Sequence, residues 1–330
     1  MHLGLGLDVG GTKCRWALAN SQGQLLQEGH TGSFNGQQVH TEQGRLHIHQ
    51  QLAAIRAAVH GVERQGPDTE VSVAVWAGVT GYDGPGTEGR EGIEPSPGGD
   101  QSPGVEGSTS LHAQLSLGLG VPRPAVSLFN DVELAHRVSL APGEGHLVYA
   151  GTGCIATHLD SAGHLHRVGG RGETLGDDGG GYWIGCQALK AVWRAEDEQP
   201  GFAEQSPLAQ ALFQAVGGAR WEDTRRYMHL ASRGDVGRLA VAVAAVADHD
   251  DLARRVIVQA GEELARLAQL LIRHHGLHPV GYTGGAFDLH PLLAATMVNT
   301  LPANAVVRRL NIAAHRGAAL KAAGAVIVTP

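Results

Sequence analysis

Gly11-Thr12-Lys13-Cys14-Arg15-Trp16-Ala17-Leu18-Ala19-Asn20-Ser21-Gln22-Gly23-Gln24-Leu25-Leu26-Gln27-Glu28-Gly29 and Gly151-Thr152-Gly153-Cys154-Ile155-Ala156-Thr157-His158-Leu159-Asp160-Ser161-Ala162-Gly163-His164-Leu165-His166-Arg167-Val168-Gly169 match without a gap at a constant offset of 140. Seven of the nineteen pairs are identical, and both Gly-Thr turns and both Ser-x-Gly turns fall in register. Each copy follows an apolar run (Leu3–Leu7, Leu147–Ala150), makes a Gly-rich turn, runs apolar again, turns at Ser-x-Gly and begins a third strand. The pattern predicts two β-hairpins built alike.

Glycine lets the main chain approach a ligand closely and aim N–H groups at it, and a small hydroxyl residue adds a donor. Two such turns, at Gly10-Gly11-Thr12-Lys13 and Gly151-Thr152-Gly153, are suited to hold one polyphosphate between two halves of a duplicated fold. Working outward, Leu3-Gly4-Leu5-Gly6-Leu7-Asp8 reads as a buried strand ending in a carboxylate, placed to hold Mg²⁺ directly or through water, or else to start the turn. Phe34-Asn35-Gly36 is a polar loop, where Asn35 either contacts a polar ligand or shapes the chain. Ile48, Leu52, Ile55, Val59 and Val62 recur at helical spacing.

Val71–Val75 is a further strand, followed by Trp76-Ala77-Gly78-Val79-Thr80-Gly81, and 83–108 is Gly/Pro/Glu-rich without periodicity, which predicts an exposed, mobile loop. A helix over about 110–119 and a strand over 125–129 follow, and Asn130-Asp131 opens the next helix. Ligands of open parallel sheets bind beyond the carboxyl ends of strands, so Asp131 is a candidate ligand contact as well as a candidate N-cap. From Val168 to Gly185 many glycines surround Asp177 and Asp178, ahead of a helix carrying Tyr182, Trp183, Leu189 and Trp193. A rigid loop of that kind costs too much conformational entropy to be filler. Residues 203–275 read as helix with breaks at Gly217-Gly218 and Gly234-Asp235; Pro279–Thr283 is a strand ending in Gly284-Gly285, open enough for a flat ring. A short strand over 305–307 and a helix over 313–325 close the chain.

At 330 residues with 42% hydrophobic content, the chain suits two domains. A net charge of −7 with no Lys/Arg cluster argues against nucleic acid or an anionic membrane as a main partner. No secretory leader or membrane span is expected, and three well-separated cysteines (Cys14, Cys154, Cys186) predict free thiols in a cytoplasmic protein. The 19 histidines read as scattered, with none at zinc-ligand spacing.

Taken in order, Asp8-Val9-Gly10-Gly11-Thr12-Lys13, Asn130-Asp131, Gly151-Thr152-Gly153, the run Gly169–Ile184 and Gly284-Gly285 resemble the sugar-kinase/Hsp70/actin superfamily. Within it they resemble the N-acetylglucosamine kinase branch of the BadF/BadG/BcrA/BcrD ATPase family. The resemblance implies an α/β fold of two ribonuclease-H-like (actin-like ATPase) lobes, about 1–140 and 141–330, with an interlobe cleft. It also implies a helical insertion near 186–275 and a last helix available to pack on the first lobe. On that pattern Asp8 organises Mg²⁺. Gly10, Gly11, Thr12 and Lys13 form one ATP phosphate turn, Gly151, Thr152 and Gly153 form the other, and Gly284 and Gly285 face adenosine. Asn35, Asn130, Asp131, Gly170, Arg171 and Asp177 line an amino-sugar pocket, and Asp131 is the base on a sugar hydroxyl. A homodimer is common among such relatives. The sequence departs from the pattern at Cys154, where the family has serine, at Arg171, where an aromatic residue is usual, and over 83–108. Arg171 suits a carboxylate-bearing sugar of the muramic type.

Phosphoryl transfer asks for positioning and charge neutralisation, which two phosphate turns and one metal ion supply. The expected reaction is ATP-dependent phosphorylation of N-acetylglucosamine at the 6-hydroxyl, with N-acetylmuramic acid or glucosamine as alternative substrates. Rival readings are an ATPase that activates a CoA-ester reductase or dehydratase, and a non-catalytic sugar sensor.

Overall fold

A computed structural model describes residues 1–63, 71–82 and 110–324; the Gly/Pro-rich stretch 83–108 lies outside the described residues. The chain divides into one unit of residues 1–139 with 312–330 and a second of 140–311. In the first, β1 (His2–Val9), β2 (Lys13–Asn20) and β3 (Leu25–Gly32) are followed by α1 (Glu42–Glu63), β4 (Ser72–Val79), α2 (Leu111–Leu119), β5 (Val126–Phe129) and α3 (Asp131–Ser139). In the second, β6 (His146–Ala150), β7 (Cys154–Leu159) and β8 (Leu165–Gly169) lead into α4 (Gly181–Glu198), α5 (Phe202–Gln205), α6 (Pro207–Val216), α7 (Trp221–Leu230), α8 (Arg233–Val246) and α9 (Asp251–His275). Then come β9 (Val280–Thr283), α10 (Pro291–Thr300) and β10 (Val307–Arg309), and α11 (Ala314–Ala322) rejoins the first unit.

The duplication extends to topology. One sheet has the order β3-β2-β1-β4-β5 and the other β10-β9-β6-β7-β8, the same connectivity written in opposite directions. In each, three antiparallel strands are extended by two parallel ones. The two Ser-x-Gly turns share one hydrogen-bond set at the offset of 140. Asn20 Oδ1 accepts from Gln22 and Gln24 N–H, and Asp160 Oδ1 accepts from Ala162 and His164 N–H. The Gly-Thr turns differ by one residue: four residues separate Val9 from its partner Cys14, three separate Ala150 from Cys154.

Alternation along β1 sorts its two faces. Leu3, Leu5 and Leu7 are fully buried against Ile48, Leu52 and Ile55 of α1. Gly4 and Gly6 face α11 so closely that a Cβ on Gly6 would stand 2.0 Å from His315 O and one on Gly4 2.1 Å from Ala319 O. The alternating glycines seen in the sequence therefore admit a helix backbone directly onto the strand. In the second unit, Leu264, Leu267, Ala268 and Leu271 of α9 join Val148 and Ala156 in the core.

Some boundaries move. Gly234 and Asp235 lie inside α8; the break falls before it, at Ser232, whose hydroxyl and the Asp235 carboxylate form a reciprocal N-terminal cap. The last short strand sits at 307–309. The histidines, which the sequence scatters, are brought together: His146, His158, His166, His275 and His278 pack ring to ring with centroids 4.4–6.3 Å apart. Among the described residues no three His, Cys, Asp or Glu side chains are arranged to hold a metal ion, and no helix is long and apolar enough to cross a membrane.

Candidate functional site

The first unit gathers its candidate residues at the carboxyl ends of β1, β4 and β5. Asp8 lies one residue before the end of β1, and Gly10 N–H closes the turn on Lys13 O at 3.1 Å. Ser33 braces this turn by donating its hydroxyl to Gly10 O, and His47 Nε2 is 2.9 Å from Ser33 O. Among the described residues, the N–H groups of Gly11 and Thr12 have no internal partner, and both residues are exposed. Consecutive unpaired N–H groups on a turn suit an anion.

Asn130 Oδ1 caps α3 through Val132 N–H at 3.0 Å, and its amide donates to Tyr82 O at 3.2 Å. Asp131 Oδ1 also accepts from Val132 N–H, at 2.9 Å. Burial pushes the Asp131 carboxyl above the usual carboxylate range, opposed by hydrogen bonds from Val132 N–H, its own N–H and the Thr80 hydroxyl. Asp8 is likewise pushed up, mostly by burial; Arg15 opposes this and the Asp131 charge adds to it. Two half-buried carboxylates that feel each other's charge form an oxygen-donor pair fit for a hard divalent cation, which would relieve their repulsion. Gly78 permits this closeness, since a Cβ there would lie 2.6 Å from Leu134 Cβ and 3.2 Å from Asp131 Cα. Asn35 caps the 3-10 turn Gly36–His40 through Gln37 and Gln38 N–H.

In the second unit the turn after β6 is closed by Gly151 N–H on Gly153 O at 2.8 Å. Its outward carbonyls are used by the next helix: Gly181 N–H donates to Gly151 O and Tyr182 N–H to Thr152 O. Among the described residues, the N–H groups of Thr152 and Gly153 lack an internal partner, as at the first turn. Gly284, at φ 110°, follows β9 beside this turn, and a Cβ there would stand 2.2 Å from Ala150 O. Gly285 faces open space on its Cβ side.

Asp177 is buried, in the left-handed region at φ 61°. Its carboxylate pairs with Arg233 of α8 and weakly accepts from Cys154 N–H at 3.4 Å, while Arg233 also reaches Glu173 at 3.2 Å. The Gly-rich loop is thus tied to the second turn, and Asp177 already has a cationic partner. Gly170 and Arg171 are exposed, and among the described residues the Arg171 guanidinium has no ion pair or hydrogen bond. Cys14 and Cys154 are core residues whose thiols burial pushes up to about 12, so both behave as small apolar groups. Sequence reading passed over Arg15, Ser33, Thr80 and Arg233. Of these only Thr80, a hydroxyl residue followed by glycine at a strand end, carried a visible signal.

Comparison with known proteins agrees with this architecture. An N-acetyl-D-glucosamine kinase from Dictyostelium discoideum is 28% identical over 191 residues, 54% of this chain and 59% of that protein. An N-acetylmuramic acid/N-acetylglucosamine kinase from Clostridium acetobutylicum is 28% identical over 142 residues, 42% of this chain and 45% of that one. The chain thus spans about half the length of the curated relatives it matches. A solved Chromobacterium violaceum structure, provisionally described as an N-acetylglucosamine kinase, superposes with a TM-score of 0.66 at 23% identity, over 97% of this chain and 98% of that one. A Porphyromonas gingivalis structure described in the same way superposes at 0.64 with 17% identity, over 96% of each chain. These two share the fold of two actin-like ATPase lobes. The model of the BadF/BadG/BcrA/BcrD ATPase family matches residues 137–327, more than half of the chain, which therefore belongs to that family.

Proposed function

We propose that this protein is an ATP-dependent kinase of an amino sugar, N-acetylglucosamine first among them, acting on the 6-hydroxyl with Asp131 as general base. The observation that carries this reading is the carboxylate pair of the first unit, Asp8 and Asp131, held beside a Gly-Thr turn with unpaired N–H groups. The same kind of turn recurs in the second unit, and both curated relatives are named as kinases of such sugars.

In this reading the N–H groups of Gly11 and Thr12 and of Thr152 and Gly153, with Lys13, take the phosphates of ATP, and Gly284 and Gly285 lie under adenosine. Asn35, Asn130, Gly170, Arg171 and Asp177 hold and orient the sugar. Asp8 would hold Mg²⁺, directly or through water; bound there, the ion neutralises phosphate charge. Asp131, anchored through Val132 N–H, accepts the proton of the sugar hydroxyl as that oxygen bonds to the γ-phosphorus of ATP and the bond from that phosphorus to the departing ADP oxygen breaks. Its burial raises its proton affinity, which suits a base.

The test is ADP release from Mg-ATP with N-acetylglucosamine, glucosamine, N-acetylmuramic acid, glucose or no sugar, for the native protein and Asp131→Asn. One sugar is expected to stimulate turnover, and the substitution to lower kcat by about 10²–10⁴. Equal ADP release with and without sugar would remove the kinase reading in favour of an ATPase. Sugar binding without turnover would favour a sensor. N-acetylmuramic acid is the second reading on substrate, because Arg171 is exposed and unpaired among the described residues and so available to a sugar carboxylate. Arg171→Met would then raise KM for that sugar and leave N-acetylglucosamine little changed.

A further inference from the structure

The second Gly-Thr turn, Gly151-Thr152-Gly153, has its carbonyls engaged throughout. Gly153 O accepts from Gly151 N–H at 2.8 Å, Gly151 O from Gly181 N–H at 2.8 Å and Thr152 O from Tyr182 N–H at 2.9 Å. α8 packs on the same turn with two residues one helical turn apart, Arg233 and Gly237, which share a face of the helix. A Cβ on Gly237 would lie 3.0 Å from Thr152 Cγ2, and a Cβ on Gly153 would strike Arg233 Nη2 and Asp177 Oδ2. Among the described residues, the N–H groups of Thr152 and Gly153 are what the turn has left to offer.

Arg233 joins these parts. Its Nη2 donates to Asp177 Oδ2 and its Nε lies 3.2 Å from Glu173 Oε2, both carboxylates of the Gly-rich loop, while Asp177 Oδ1 accepts from Cys154 N–H at 3.4 Å. It is also the first residue of α8, where the helix dipole disfavours a cation, so the needs of the helix do not account for an arginine there.

We infer that Arg233 is the positioning residue of the second phosphate turn: its guanidinium, set against Asp177, Glu173 and the bare Cα of Gly153, fixes the turn so that the N–H groups of Thr152 and Gly153 stay aimed at a nucleotide phosphate. The inference rests on the kinase reading above, which puts phosphates of ATP on this turn. Rigidity matters because donors fixed before binding need no ordering when the anion arrives, and that ordering would otherwise weaken affinity.

Arg233→Met removes the guanidinium and keeps an unbranched side chain. Arg266→Met is the matched control: Arg266 of α9 pairs with Asp178 at 3.6 Å, so the same loop loses a cationic partner while the grip on Gly153 stays. Both are compared with the native protein well below their melting temperatures. Arg233→Met is expected to raise the Kd for Mg-ADP, measured by calorimetry, about 10–100-fold, and at saturating sugar to raise KM for ATP similarly with kcat within about 3-fold; Arg266→Met should stay within about 3-fold throughout. In the ligand-free protein the ¹⁵N order parameters of the Thr152 and Gly153 amides are expected to fall from about 0.85 to below about 0.6 in Arg233→Met and to hold in Arg266→Met. Native affinity in Arg233→Met, or an equal loss in both variants, overturns the inference and leaves the kinase reading standing. Unchanged order parameters overturn it even where affinity falls, because the guanidinium would then act by touching the phosphate itself. If no sugar stimulates turnover, the kinase reading fails, and Mg-ADP affinity and the order parameters still decide the inference. If the native protein does not bind Mg-ADP, a turn as rigid in Arg233→Met as in the native protein overturns it.

Discussion

Asp177 shows how much one residue can hold. It is buried, its backbone is in a conformation that costs a non-glycine residue about 1–3 kcal/mol, and its carboxylate pairs with Arg233 while weakly accepting from Cys154 N–H. Removing Arg233 leaves that charge buried without its cation. Arg233→Met is expected to destabilise the second unit by about 1–3 kcal/mol, less than for a fully buried pair because the guanidinium is 43% exposed. Denaturant unfolding followed by Trp fluorescence checks it, and Arg233→Lys should recover part of the loss. At the same scale, Asp131 was legible in the sequence as a carboxylate at a strand end, and so was its rival role as a cap. The structure divides the work: Asn130 caps α3 through its side-chain oxygen and donates its amide to Tyr82 O, while the Asp131 carboxyl, although it shares Val132 N–H, is pushed above the usual carboxylate range by burial. Arg233 could not be assigned beforehand, because it matters through a partner 56 residues away in sequence.

Among the elements, β1 and α11 pair closely. The helix lies on the glycine face of the strand, with Ala319 and Ala323 packed against Ala17 and Ala19 of β2. Small residues on both sides bring backbone onto backbone, so an added methyl has nowhere to go. Gly6→Ala is expected to cost at least about 1–3 kcal/mol, the usual cost of overpacking, and to lower the melting temperature measured by circular dichroism. Gly11→Ala, where a Cβ meets nothing within 4 Å, is the matched control and should leave stability nearly unchanged. The hairpin elements were readable in advance because turn chemistry is local: Asn20 and Asp160 each bend the chain onto their own side-chain oxygen. The start of α8 was misread because Gly234 suggests a break, whereas the Ser232–Asp235 cap just before it is strong enough to begin the helix there.

On the scale of the whole molecule, the histidine cluster contributes a pH response. His146 is fully buried on β6, with Nε2 3.0 Å from Gly276 O and Nδ1 without a partner among the described residues. The rings of His158 from β7 and His278 from the loop after α9 face it, with His275 behind them and Asp160 beside His166. Burial lowers His146 to about 4, against 6.5 for a free imidazole, and the neighbouring imidazoles add to this. The sign follows. Between about pH 4 and 6.5 the unfolded chain binds a proton that the folded chain refuses, so this stability is present above the upper value and lost as pH falls toward the lower one. The loss is of order 3 kcal/mol for this residue. His146→Gln is expected to flatten the dependence of melting temperature on pH over that window; an unchanged slope would assign the response to other groups.

By itself the sequence determined what depends on neighbours along the chain: the duplicated hairpins, the Gly-Thr turns, the strands ending in Asp8 and before Asp131, and from their order the resemblance to a two-lobed ATPase. Only tertiary structure decided which distant groups meet. It set the mutual influence of Asp8 and Asp131, the clamp of Arg233 on Asp177, and five histidines joined from β6, β7, β8, the end of α9 and the loop after it. The physical reason is range. Turn and strand preferences act over a few residues and leave a local pattern, whereas hydrogen bonds and charges act across space, where sheet order and helix packing choose the partners.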